Sequence, residues 1–134
     1  MAPITDLQQL LTGLEPRLEN GEYLFCCLPS ANDAPADLEP FASVREPEGL
    51  TLVVTAESAL AAGLRGEGPF RLITLRVHSS LEAVGLTAVV SRALAAEGIS
   101  ANVIAGYHHD HILVPAVRAV DAMSALERLA ATGD

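Results

Sequence analysis

Phe70-Arg71-Leu72-Ile73-Thr74-Leu75-Arg76-Val77 is the stretch that decides the fold. In an extended chain Phe70 and Leu72 point to one face, and Ile73, Leu75 and Val77 to the other. A strand that is apolar on both faces belongs in the middle of its sheet. His78-Ser79-Ser80-Leu81-Glu82 follows, and Ser79-x-x-Glu82 has capping-box spacing, which predicts a helix start. That helix runs to about Glu97 and stops at Gly98. Its small residues, Ala83, Gly85 and Ala88, allow close packing on a sheet. Residues 99–107 then read as a strand, His108-His109-Asp110 as a tight turn, and 111–114 as a return strand ending at Pro115. A last helix spans about 116–131, with Val117, Val120, Met123 or Ala122, Leu126 and Leu129 on one face.

The second half is thus β-α-β-β-α, one strand short of the ferredoxin-like β-α-β-β-α-β unit. The first half can supply the missing strand. Leucines 7, 10, 11 and 14 have helical spacing, with Thr5 or Asp6 as N-cap. Arg17-Leu18 and 22–28 flank Asn20-Gly21, a hairpin turn signal. Residues 29–40, with three prolines, form a loop. Two short strands, 41–45 and 50–55, surround Glu46-Pro47-Glu48-Gly49, and Thr55 caps a short helix over 56–62. Arg65 to Pro69 holds two glycines and a proline and marks the internal boundary. The expected fold class is α+β. It has two interlocked ferredoxin-like units, 1–68 and 69–134, with antiparallel sheets and helices on one face.

Composition excludes several functions. The chain has 134 residues and half are hydrophobic, enough for a real core. Its formal net charge is −9, and all 8 basic residues are arginine. Such a surface repels phosphate backbones and anionic membranes, so neither nucleic acid nor a membrane is an expected partner. The start Met1-Ala2-Pro3 lacks the charged and apolar regions of a signal peptide, and no apolar run reaches the ~20 residues of a membrane span. Cys26 and Cys27 are adjacent on a strand, point to opposite faces and suit small buried hydrophobes better than a disulfide. The expected location is the cytoplasm.

All 4 histidines, His78, His108, His109 and His111, lie in the second half near Asp110. Their spacing matches no common zinc motif, and alternation along a strand lets at most two of residues 108–111 share a face. Ser79 and Ser80 stand near His78, but no nucleophile elbow is present. Neither dinucleotide nor P-loop glycine patterns occur. No catalytic residue, metal or cofactor is therefore expected. The helix start at 79–82 carries more information. Free backbone N–H groups there can receive a carboxylate, while Glu82 and Asp110 can take an ammonium or guanidinium. The plain alternative makes Glu82 a capping-box partner and Asp110 a turn residue.

Two runs carry a resemblance. They are Ile73-Thr74-Leu75-Arg76-Val77-His78-Ser79-Ser80-Leu81-Glu82-Ala83-Val84-Gly85-Leu86 and Gly98-Ile99-Ser100-Ala101-Asn102-Val103-Ile104-Ala105-Gly106-Tyr107-His108-His109-Asp110-His111-Ile112-Leu113-Val114-Pro115. Together with Asn20-Gly21-Glu22-Tyr23 and residues 45–53, they resemble small bacterial stand-alone proteins with tandem ACT domains. The run over 99–115 is also similar to ACT strand pairs of cytosolic arginine sensors and, more distantly, of aspartate kinases. The resemblance implies βαββαβ modules that bind amino acids or similar small metabolites and pair side by side, here as a homodimer. It implies a ligand site formed by His78, Ser79, Ser80, Glu82, Val84, Gly85 and Leu86 with Tyr107, His108, His109 and Asp110. It gives Asp110 the cation, Ser79 and Ser80 the carboxylate, and Gly85 close approach of the ligand. The function it implies is non-catalytic sensing or regulation. The alternatives are an ACT-type interaction module without ligand and, further off, a metal-dependent enzyme using His78, His108 and Asp110.

Overall fold

The computed structural model describes residues 2–133. The chain runs α1 (Leu7–Thr12), β1 (Pro16–Leu18), β2 (Tyr23–Leu28), β3 (Ala42–Glu46), β4 (Gly49–Thr55), α2 (Ala56–Ala61) and β5 (Gly66–Leu75). It continues as α3 (Leu86–Ala96), β6 (Asn102–Ala105), β7 (Asp110–Pro115) and α4 (Ala119–Thr132), with single 3-10 turns at Ala31–Asp33 and Ala116–Arg118. Two compact units interleave along it: Met1–Asn20 with Arg71–Asp134, and Gly21–Phe70.

In the first of these units the strands lie in the order β1-β5-β7-β6. β1 pairs antiparallel with β5, Arg17 opposite Thr74, and β6 pairs antiparallel with β7, Val103 opposite Ile112. With α3 and α4 this is a βαββαβ unit whose closing strand is β1, taken from the first half of the chain. Ile73, Leu75, Ile112 and Val114 project from one face of the sheet onto Leu10 and Leu11 of α1, Val90 and Leu94 of α3, and Leu126 and Leu129 of α4. Each of these side chains is no more than 2 % exposed, and each such burial contributes on the order of 1.5–3 kcal/mol. Leu72 and Leu113, on the other face, are buried too, in keeping with a strand apolar on both sides.

The second unit has the order β3-β4-β2, with residues 66–70 of β5 beside β2. The hairpin around Glu46-Pro47-Glu48-Gly49 forms with Arg45 opposite Leu50. Thr55 caps α2 by accepting from Ser58 N at 3.1 Å. Cys26, Leu28, Leu52, Val54 and Ala59 make its small core. Both thiols are free; Cys26 is buried as expected, but Cys27 is exposed and not the buried hydrophobe its sequence neighbours suggest, because alternation along β2 turns it away from the small core that Cys26 joins.

Four local expectations are corrected. Asn20-Gly21 does not close a hairpin, because β1 pairs with β5 and β2 pairs with β4 and β5. Residues 66–69 are strand. A Cβ on Gly66 would lie 2.5 Å from Phe25 O, and one on Gly68 2.9 Å from Tyr23 O, so these glycines serve close backbone approach and not a break. The strand expected over 99–107 shrinks to Asn102–Ala105, since Ile99 caps the preceding turn by donating to Leu94 O. The buried face of α4 is Ala119, Ala122, Ala125, Leu126 and Leu129, whereas Val117 and Val120 are 92 % and 75 % exposed. The 3-10 turn at Ala116–Arg118 rotates the helix entry, and small alanines turn inward so that α4 packs close to the sheet.

That face makes a direct prediction. Leu126→Ala should cost about 2–5 kcal/mol in urea unfolding, and Val120→Ala should stay within about 0.5 kcal/mol. Equal costs would put the core on the wrong side of α4.

Candidate functional site

β5 ends at Leu75, and the chain then crosses residues 76–85 without helix or strand. Its backbone is held by the start of the chain. Ile4 N donates to His78 O at 2.8 Å and Ile4 O accepts from Ser80 N at 3.0 Å. Arg76 N donates to Glu15 O and Val77 N to Leu14 O. The capping box expected at Ser79 and Glu82 does not form, and the helix begins six residues beyond Ser80, at Leu86. Three of the four N–H groups expected to be free at 79–82 are occupied: Ser79 N by Val77 O, Ser80 N by Ile4 O, and Glu82 N by Ser80 Oγ at 3.0 Å.

The free donors lie one step later. Gly85 is the N-cap of α3 with φ 102°, and a glycine offers no side chain to the helix end. The ladder starts with Val89 N on Gly85 O, which leaves the N–H groups of Leu86, Thr87 and Ala88 without intrahelical acceptors. The positive end of the helix dipole reinforces them. Leu86 and Thr87 border a hollow of ≈ 80 Å³ that Ser79, Ser80, Ala105 and Asp110 also line. Ser79 as a residue is only 8 % exposed, but its hydroxyl oxygen keeps contact with solvent and has no protein hydrogen-bond partner among the described residues.

Asp110 closes the same hollow from the first position of β7. Burial pushes its carboxyl above the ordinary value, and the positive potential of His111 and His109 pulls it part of the way back. His111, next along β7, is lowered by burial and by His109, against Asp110 and Glu19, which raise it. Its Nδ1 is 3.1 Å from Thr74 Oγ1, and that hydroxyl is 2.9 Å from Glu19 Oε2. With the hydroxyl proton given to the carboxylate, the Thr74 oxygen accepts from Nδ1–H of His111. Arg17 Nε pairs with Glu19 Oε1 at 3.3 Å and completes the chain.

A second hollow, ≈ 460 Å³, shares Ser79, Ser80 and Leu81 with the first and therefore abuts it. Its other walls are Pro3, His78, Glu82, Tyr107 and His108. The rings of His78 and His108 are 5.3 Å apart, and Tyr107 stands edge-on to His108 at 4.9 Å. Of the residues the sequence pointed to, His78, Ser79, Ser80, Glu82, Leu86, Tyr107, His108 and Asp110 border one hollow or the other. Val84, Gly85 and His109 border neither. Val84 faces solvent, a Cβ on Gly85 would touch Leu7 at 3.4 Å, and His109 Nδ1 is tied to Val77 O at 3.3 Å. Thr87, Ala105 and the Thr74–Glu19 pair had no signal in the sequence, because the one-dimensional text does not show which turn of α3 faces the hollow. Among the described residues no three His, Cys, Asp or Glu side chains converge as metal ligands would, and no helix is long and apolar enough to cross a membrane.

Known proteins agree with this architecture. Two family models described as ACT domain match the chain, one over residues 2–71 and one over 67–128. A solved structure from Vibrio cholerae, a protein of unknown function described as a possible transport protein, is 53 % identical over 92 % of this chain and 95 % of its own, with TM-score 0.83. The Agrobacterium tumefaciens protein Atu0741 has the same fold at 19 % identity (86 % of this chain, 87 % of that one, TM-score 0.72). So does the regulatory subunit of aspartate kinase from Thermus flavus, at 12 % identity (84 % and 95 % covered, TM-score 0.62). No curated protein matches in sequence.

The raised carboxyl carries a sign. A group whose folded pKa exceeds its unfolded one supports the fold at low pH and loses that support as pH rises through the folded value. Asp110→Asn should therefore raise the melting temperature of the ligand-free protein at pH 7. The gain should vanish as pH falls below about 4, where the carboxyl is protonated in both states. Melting curves of both proteins from pH 3.5 to 8 read this directly, and a variant that melts lower at pH 7 would contradict it.

Proposed function

We propose that this chain, which belongs to the ACT-domain family and carries two ACT domains in tandem, is an amino-acid-binding regulatory protein without catalytic activity. The family gives it a regulatory, small-molecule-binding role. The ligand is the step taken here, and one observation carries it. The Ser79 hydroxyl, which no protein group occupies among the described residues, and the uncapped start of α3 lie at the same small hollow as a half-buried carboxylate. Donors on one side and an acceptor on the other suit a zwitterion.

In this reading the ligand's carboxylate takes the N–H groups of Leu86, Thr87 and Ala88 and the hydroxyl of Ser79, with Ser80 beside it. Its ammonium takes Asp110, whose charged form it restores. His78, Glu82, Tyr107 and His108 line the space beyond. Val84, Gly85 and His109 shape or bind the loop. The repeats run over 1–68 and 69–134, and the protein acts in the cytoplasm, where two free, adjacent cysteines suit a reducing medium. It does so as a homodimer, for which the edge strand β6, Asn-Val-Ile-Ala, offers unpaired backbone free of lysine and proline. The hollow beside Tyr107 is not filled by the chain's own rings, since Tyr107 is 77 % exposed. This favours a ligand over a pairing module that has lost one.

A thermal-shift panel of the proteinogenic amino acids tests the reading. A ligand at ~100 times its dissociation constant adds about 2.7 kcal/mol, a shift of several degrees. Ser79→Ala should remove most of that shift while leaving the unliganded melting temperature nearly unchanged. A flat panel for the unmutated protein would sink the proposal.

A further inference from the structure

We infer that the ligand carries a flat, uncharged ring as its side chain, and that the hollow between Tyr107, His108 and His78 receives it. This rests on the amino-acid reading above and narrows it to the aromatic class. The ≈ 80 Å³ hollow has room for roughly half a dozen water-sized groups. That accommodates an ammonium, an α-carbon and a carboxylate and little more, so the side chain must leave it. The way out lies along Ser79, Ser80 and Leu81, the residues common to both hollows.

The ≈ 460 Å³ hollow beyond is of the size that small ligands occupy. Three rings stand around it, with His78 and His108 5.3 Å apart and Tyr107 4.9 Å from His108. Tyr107 is 77 % exposed and Leu81 67 %. Apolar and aromatic surface left open at the mouth of a cavity marks a place where something binds. A ring inserted there meets the edges and faces of the others in the offset and edge-on geometries that aromatic groups prefer. It also covers Leu81.

Charged side chains fit less well. The one carboxylate on this wall is Glu82, and it is solvent-exposed, where an ion pair adds little. An acidic side chain would meet Glu82 itself. A guanidinium can stack on rings, so L-arginine is the comparison that decides.

Calorimetric titration of the full chain with L-phenylalanine, L-tyrosine, L-tryptophan, L-arginine and L-alanine at pH 7.5 tests the inference. At least one aromatic amino acid should bind tenfold or more tighter than both L-alanine and L-arginine. The double variant Tyr107→Ala, His108→Ala removes two exposed rings and should fold. It should bring the aromatic ligand down to the affinity of L-alanine, with L-alanine unchanged. Ser79→Ala should weaken all ligands alike. Tightest binding by L-arginine, lost in Glu82→Gln, would overturn the aromatic assignment and leave the amino-acid reading standing. Binding by none of the five, with the rest of the amino acids also silent, would overturn both.

Discussion

The site depends on four backbone hydrogen bonds between the first fifteen residues and the segment that follows β5. Residues 76–85 have neither a helix nor a sheet of their own, so their polar groups need partners elsewhere. Ile4, Leu14 and Glu15 supply them, and the bond from Ile4 N to His78 O is 2.8 Å. Ile4 both donates to residue 78 and accepts from residue 80, which fixes Ser79 between two tethers. Ser79 is consequently 8 % exposed as a residue and lines the hollow, with no protein partner on its hydroxyl among the described residues. A loop released from these tethers would no longer hold Ser79 beside the start of α3, and the hollow would lose its definition.

A second support lies on the other face of the sheet. Thr74, the next-to-last residue of β5, joins Glu19 to His111 through one hydroxyl, and Glu19 is in turn paired with Arg17. His111 is thereby held on β7 next to Asp110, the carboxylate that closes the hollow. Burial makes that carboxylate costly when nothing positive is near it. The same burial is what makes an incoming ammonium valuable there. An empty site that is slightly destabilised by its own acid is one whose ligand has the most to add.

Much of this was legible in the sequence, for physical reasons that can be named. The double-sided apolar run at Phe70 to Val77 announced a central strand, and one missing strand in the second half announced that the first half must supply it. The two segments that supply most of the lining of the two hollows, 78–86 and 107–111, also stood out, because serines, histidines and an aspartate cluster where apolar periodicity lapses. The helix start did not. Ser79-x-x-Glu82 has the spacing of a capping box, yet spacing is local, while the tether at Ile4 is set by contacts more than seventy residues away in the chain. Gly85 read as a point of ligand approach. It is a residue at φ 102° that ends the loop and leaves the helix uncapped. Val117 and Val120 read as core because hydropathy ranks valine above alanine. Close packing of α4 on the sheet selects the smaller side chain.

The central claim is that a zwitterion occupies the start of α3. Amide chemical shifts of the isotope-labelled protein, followed during addition of an amino acid that shifts its melting temperature, test it most directly. The amides of Leu86, Thr87 and Ala88, with those of Ser79 and Asp110, should move together and saturate with one dissociation constant, while residues 21–70 stay still. Saturable shifts confined to residues 21–70, with the start of α3 unmoved, would contradict it.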